Sequence, residues 1–190
     1  MSLDTDVKAL VDRSDMEAAA TLAIRSLGPE ILGYLTALLH EASEASDVFS
    51  QFAEDLWRGL PGFRWESSLR TWSYRLARHA ALRHKRDPFR RRGERFETTQ
   101  ASIVAGSVVA STVIRHEWRA QQLQRLRAKL EEDEQTLLIL RVDRALSWGE
   151  VAEVLAGEEG ERTDEAALRK RFERLKDKLA RAAKEEGLID

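Results

Sequence analysis

The sequence predicts an all-α protein, two small helical domains joined by an irregular linker, with a helix-turn-helix in the second. Three observations carry this. Apolar residues recur at helical spacing in both halves of the chain. Three prolines and ten glycines among 190 residues leave long segments uninterrupted. Residues 87–115 lose the helical period and turn rich in small and β-branched side chains, which sets a linker between domains 1–86 and 116–190. Hydrophobic residues at 43% and charged residues at 34% fit a charge-rich folded chain rather than a disordered one.

In order, "SDMEAAATLAIRSL" opens with Ser14 and carries Glu17 three residues on, a capping-box spacing. "PEILGYLTALLHEA" starts a second helix with Pro29 in its first turn and Ile31, Leu35, Leu38 and Leu39 on one side. A third helix, from about Ser46 to Leu60, turns Phe49, Phe52 and Leu56 inward. Asp47, Ser50, Gln51 and Glu54 fall on its polar side. A fourth runs from about Ser67 to Arg86, where Pro88 disfavours helix for Asp87. In it Leu69, Trp72, Leu76 and Ala80 form the expected buried stripe. Arg70, Tyr74, Arg78 and Lys85 then make an exposed strip flanked by Arg75 and His79, with Trp65 in the loop before. Aromatic rings stack on unpaired bases and guanidinium groups neutralise phosphates, so this strip suits single-stranded nucleic acid. Solvated arginines and a packed tyrosine are the plain alternative.

From about His116 to Lys184 the helical pattern resumes. "EQTLLILRVDRAL" is amphipathic, "SWGEVAEVL" pairs Ser147 with Glu150 as a second capping box, and a basic helix follows with Leu168, Phe172, Leu175 and Leu179 inward. Ala167, Lys170, Arg171 and Arg174 lie on its other sides, the layout of a recognition helix for the major groove. An ordinary three-helix bundle has the same period.

Charge is unevenly spread. Through residue 60 there are eleven acidic against four basic residues, while residues 83–95 hold seven basic against two acidic. Such a split suits an acidic front for one partner and a basic stripe for another. The absence of cysteine excludes disulfides and thiolate zinc sites. His40, His79, His84 and His116 are scattered, without metal spacing or an adjacent nucleophile, and there is no glycine-rich phosphate loop. No enzyme, metal or cofactor is expected. The acidic N-terminus lacks an apolar signal core, and "ASIVAGSVVASTVI" is too short to span a bilayer, so the expected location is cytoplasmic with no membrane insertion.

"DVFSQFAEDLW…LPGFRWESSLRTWSYRLARHAAL" resembles the second conserved region of the extracytoplasmic-function sigma factors of bacterial RNA polymerase. Asp47, Trp57, Phe63, Arg64, Glu66, Ser67, Leu69, Thr71, Trp72, Tyr74, Arg75, Leu76 and Ala77 fall in step with the family pattern. "LEEDEQTLLILRVDRALSWGEVAEVL" resembles the family's fourth region. Ser50 stands where the family usually has Gln, and loop 157–163 is longer and more acidic than the usual turn. The resemblance implies that Asp47, Ser50, Gln51 and Glu54 dock on the β′ clamp helices of core polymerase. It implies that Arg64, Trp65, Tyr74, Arg75, Arg78 and His79 melt and hold the minus-ten element. Ala167, Lys170, Arg171 and Arg174 would read the minus-thirty-five duplex, the linker would thread the RNA path, and an anti-sigma factor is a further partner the family allows. Two other readings share parts of this pattern: a helix-turn-helix repressor or activator, and a sigma-like adaptor that binds polymerase without initiating.

Overall fold

The described residues are all-α, as the periodicity predicts. The computed structural model describes residues 2–86, 100–112, 129–156 and 163–185. It divides into two compact units, residues 1–115 and 116–190.

Unit 1 is built on α2 (Met16–Leu39), with α1 (Leu3–Asp12), α3 (Ala42–Gly59), α4 (Leu69–Arg86) and α5 (Gln100–Thr112) around it. Helix α2 starts one residue later than the Ser14 spacing suggests. Asp15 is the cap, its Oδ1 accepting from Ala18 N at 3.1 Å, while Ser14 takes a left-handed φ of 61°. The two helices read across residues 14–42 are one. Pro29 donates no backbone hydrogen bond, but the residue before it is Gly28, with no Cβ to collide with the proline ring. At 24 residues α2 is long and apolar enough to cross a membrane by length and composition, unlike the shorter stretch singled out from the sequence. In this fold Ile24, Ile31, Leu35 and Leu38 are buried against the surrounding helices.

Helix α3 points Phe49, Phe52 and Leu56 inward, as its period predicts. A 3-10 turn, Leu60–Gly62, ends it. Helix α4 begins under two acceptors. Ser68 Oγ accepts from Thr71 N at 3.0 Å, and Asp4 Oδ2, from α1, accepts from Leu69 N at 3.3 Å. Its buried side is only partly the expected stripe: Leu69 and Ala80 are buried as expected. Trp72 and Leu76 are only half-buried, and Ser73, Tyr74, Ala77, Ala80 and Ala81 form the inner face. Small side chains let α4 approach α2 and α3 closely, Tyr74 packs inward on Tyr34, and Trp72 and Leu76 are left at the flank.

Residues 100–112 correct the expected linker: they form α5, packed on α2 and α3. Ala101, Val104, Ala105 and Val108 are its buried side. Nearly every residue of "QASIVAGSVVAST" is small or apolar, so there is no polar face to reveal a helical period. The approach is tight: a Cβ on Gly28 would lie 2.9 Å from Val108 Cγ1 and 3.1 Å from Phe49 Cζ. The remainder of the expected linker lies outside the described residues.

Unit 2 contains α6 (Glu132–Leu138), continued by a π turn over Ile139–Asp143, then α7 (Trp148–Leu155) and α8 (Glu165–Glu185). The capping box read at Ser147 is formed: Ser147 Oγ accepts from Glu150 N at 3.3 Å and Glu150 Oε2 accepts from Ser147 N at 2.8 Å. Leu137, Leu140, Leu146, Val151, Val154, Leu168 and Leu175 close the core. The start of this block near residue 116 and the acidic loop over 157–162 lie outside the described residues.

Candidate nucleic-acid interface

The loop between α3 and α4 concentrates the aromatic residues. Phe63 stacks on Trp72 with centroids 4.5 Å apart and planes 18° from parallel. Trp65 is the second neighbour of the Phe63 ring, with centroids 4.7 Å apart. Three rings thus run in a row, Trp65–Phe63–Trp72, all half-buried. Gly59 makes room at one end, since a Cβ there would meet Trp72 Cζ2 at 3.1 Å. Trp65 holds a φ of 60°, a left-handed conformation that a bulky side chain seldom adopts. Strain of this kind, on the order of 1–3 kcal/mol, collects where the fold must aim a side chain. Arg64 is exposed and 3.4 Å from Glu66.

The remaining candidates of unit 1 divide. Arg75, Arg78 and His79 are half-buried along α4. Tyr74 corrects the expectation of an exposed base-stacking ring, because it is 0% exposed. Its ring meets Tyr34 edge-on at 5.4 Å, and its hydroxyl donates to Glu30 Oε1 at 2.8 Å. A buried phenol needs such an acceptor, and the α2 carboxylate supplies it. Arg70, also placed on the exposed strip, donates from Nε to Glu30 Oε1 at 3.0 Å. These two residues fasten α4 to α2.

On α3, Asp47 is exposed, and Ser50 is half-buried with its hydroxyl donating to Ser46 O at 3.0 Å. Glu54 corrects another expectation, being 6% exposed rather than on an open polar face. Arg58, one turn on, reaches its carboxylate at 3.4 Å and takes the place at the surface.

In unit 2, Ala167, Lys170 and Arg174 are exposed on α8, and Arg171 is half-buried, 3.5 Å from Asp133 of α6. Asp164 caps α8, its Oδ2 accepting from Ala167 N at 3.1 Å. Trp148 was not singled out from the sequence, yet it organises this corner. It meets Phe172 edge-on at 5.6 Å, with the guanidinium of Arg141 4.7 Å from its ring centroid and that of Arg169 at 5.8 Å. The signal for it was an aromatic at the first helical position of α7. Among the described residues no group of acidic or imidazole side chains could hold a metal.

Glu134 ties α6 to α8 through Lys178 Nζ at 2.7 Å. Partial burial pushes its carboxyl up. The hydrogen bonds from Lys178 and from Glu131 N, with the charges of Lys178 and Arg171, outweigh that and hold it below the ordinary carboxylate range. A lowered native pKa stabilises the fold above the unfolded value, about 4.3, and that stabilisation is lost as pH falls through the native value. Glu134→Gln should therefore make the acid limb of unfolding shallower below about pH 4.3, read by circular dichroism of denaturant titrations. An unchanged slope would count against the Lys178 pair as its cause.

Residues 23–99, which span most of α2, all of α3 and α4 and the aromatic loop, match the sigma-70 region 2 family model. Over 130 residues the chain is 32% identical to RNA polymerase sigma factor YlaC of Bacillus subtilis (strain 168), covering 66% of this chain and 73% of that protein. It is 29% identical over 160 residues to the RNA polymerase sigma-H factor of Pseudomonas aeruginosa, covering 80% of this chain and 82% of that protein. An alignment of that extent runs past unit 1 into unit 2.

Proposed function

Because this chain belongs to the sigma-70 family of RNA polymerase sigma factors, we propose that it is a factor of the extracytoplasmic-function type, which binds core polymerase in the cytoplasm and selects and opens promoters. Unit 1 docks on the β′ clamp helices through Asp47, Ser50 and Gln51 of α3, with Glu54 set beneath Arg58 as support. The minus-ten strand, once separated, lies along Arg64, Trp65, Arg75, Arg78 and His79. Tyr74 holds this surface from below rather than touching DNA. Helices α7 and α8 act as a helix-turn-helix on the minus-thirty-five duplex, where Lys170, Arg171 and Arg174 face the groove beside Ala167. An anti-sigma factor that covers these surfaces is compatible with the same reading. No step calls for covalent chemistry by the protein.

The observation that carries this reading is the row of rings ending in the strained Trp65, next to an exposed arginine. A flat ring that is partly exposed can offer an unpaired base a stacking face, and the exposed arginine offers its phosphate a counter-charge.

Run-off transcription with purified core polymerase and the promoter upstream of the protein's own gene tests it. Transcripts should require the protein. Trp65→Ala should lower open-complex formation about 5- to 150-fold, the equivalent of one lost base stack, while core binding stays unchanged. Core binding without transcripts on any promoter would favour an adaptor. No core binding would leave a helix-turn-helix regulator.

A further inference from the structure

The polar face of α3 is not a row of independent side chains. Gln51 Nε2 donates to Asp55 Oδ1 at 3.0 Å, one turn along the helix. The other oxygen of that carboxylate, Asp55 Oδ2, is in an ion pair with Arg83 of α4. Both oxygens of one side chain are therefore engaged, and the Asp55 side chain is only 21% exposed. A carboxylate accepts hydrogen bonds and cannot donate them, so the amide nitrogen of Gln51 must be the end that turns to Asp55. Its carbonyl oxygen, an acceptor, is the end left for a partner. Asp47, one turn before Gln51, is exposed and adds a carboxylate to the same helix.

Resting on the reading of α3 as the polymerase-binding helix, we propose that Asp55 is a positioning residue for docking. Through Oδ1 it fixes the Gln51 amide so that α3 presents a carbonyl oxygen and the Asp47 carboxylate to the partner. The polymerase segment that fits this face offers cationic donors, lysine or arginine. An unpinned glutamine would present either end of its amide. Pinning removes the mismatched end and orders the side chain before the partner arrives. Asp55 itself need not touch the polymerase.

The test is a double-mutant cycle on the full-length protein, read as affinity for core polymerase by fluorescence anisotropy. Gln51→Ala should weaken binding roughly 10- to 100-fold, the range of one hydrogen bond to a charged group, and Asp55→Ala should weaken it measurably but less. The double variant should be no weaker than the worse single. Asp55→Asn, which keeps the shape but lets the amide take either orientation, should fall between wild type and Asp55→Ala, and it serves if the alanine variant folds poorly. Arg83→Ala breaks the bridge to α4 and leaves the Gln51–Asp55 bond, so it should keep affinity within about twofold. A loss with Arg83→Ala equal to that with Asp55→Ala would make the effect one of helix packing and overturn the proposal. So would additive losses in the cycle, or Asp55→Ala binding like wild type while Gln51→Ala does not. If Asp47→Arg and Gln51→Ala both bind core normally, the polymerase-binding reading of α3 fails, and this proposal with it.

Discussion

Tyr74→Ala should destabilise unit 1 by about 3–5 kcal/mol, the usual cost of removing a fully buried aromatic ring. Tyr74 has no solvent exposure, packs edge-on against Tyr34, and donates to a carboxylate on another helix. Set against total stabilities of about 5–15 kcal/mol for domains of this size, that loss leaves little folded protein in warm solution. Tyr74→Phe should cost only about 0.5–1.5 kcal/mol, because Glu30 keeps its bonds from Arg70. Urea unfolding followed by circular dichroism measures both. A side chain on the open DNA strip would behave otherwise, with stability within about 0.5 kcal/mol of wild type. That result for Tyr74→Ala would restore the tyrosine to the residues proposed to contact DNA. Loss of transcription by this variant therefore has to be read next to its unfolding curve.

Gly28→Val should cost about 1–3 kcal/mol by overpacking. A bare Cβ at this position already falls within 2.9 Å of Val108 and 3.1 Å of Phe49, and the branched side chain adds two more carbons. Helix propensity pulls the other way, since glycine is the poorer helix former by up to about 1 kcal/mol. The steric term wins because Phe49 is itself fully buried and has nowhere to move. Val108→Ala in the same chain should recover part of the loss. Recovery is the informative outcome, because it occurs only if α5 sits on α2. If Val108→Ala has no effect on Gly28→Val, the segment after α4 is not seated there.

Both variants fall where the sequence was hardest to read, and for related reasons. Large side chains dominate an apolar period, so Trp72 and Leu76 drew the buried stripe of α4 toward themselves. The inner face is made of Ser73, Ala77, Ala80 and Ala81, whose small size is what close helix packing needs. In α5 there is no polar face to contrast with the apolar one, so a helix looked like a linker. The merger of two segments into α2 turned on Gly28 preceding Pro29, a pairing that local proline rules read as a break. Where polar and apolar faces alternate sharply, the sequence sufficed: Phe49, Phe52 and Leu56 of α3, the Ser147–Glu150 box, and Leu168 and Leu175 of α8 all took their expected places. The candidate surface was legible as a set of residue types. Which of them point outward was not, because that is decided by partners on other helices: Glu30 for Arg70 and Tyr74, Arg58 for Glu54.

The tethers that fix α4 also differ in how much chain each one closes. Arg83 reaches back 28 residues to Asp55, Arg70 and Tyr74 reach back 40 and 44 to Glu30, and the amide of Leu69 reaches back 65 to Asp4. Closing a 65-residue loop costs about 0.7 kcal/mol more than closing a 28-residue one. That cost holds only for a tether acting alone: with α1 packed on α2 and α2 on α4, the loop that the Asp4 cap closes is far shorter. The start of α4, which follows the aromatic loop, therefore leans on the packing of α1 as well as on its own contacts.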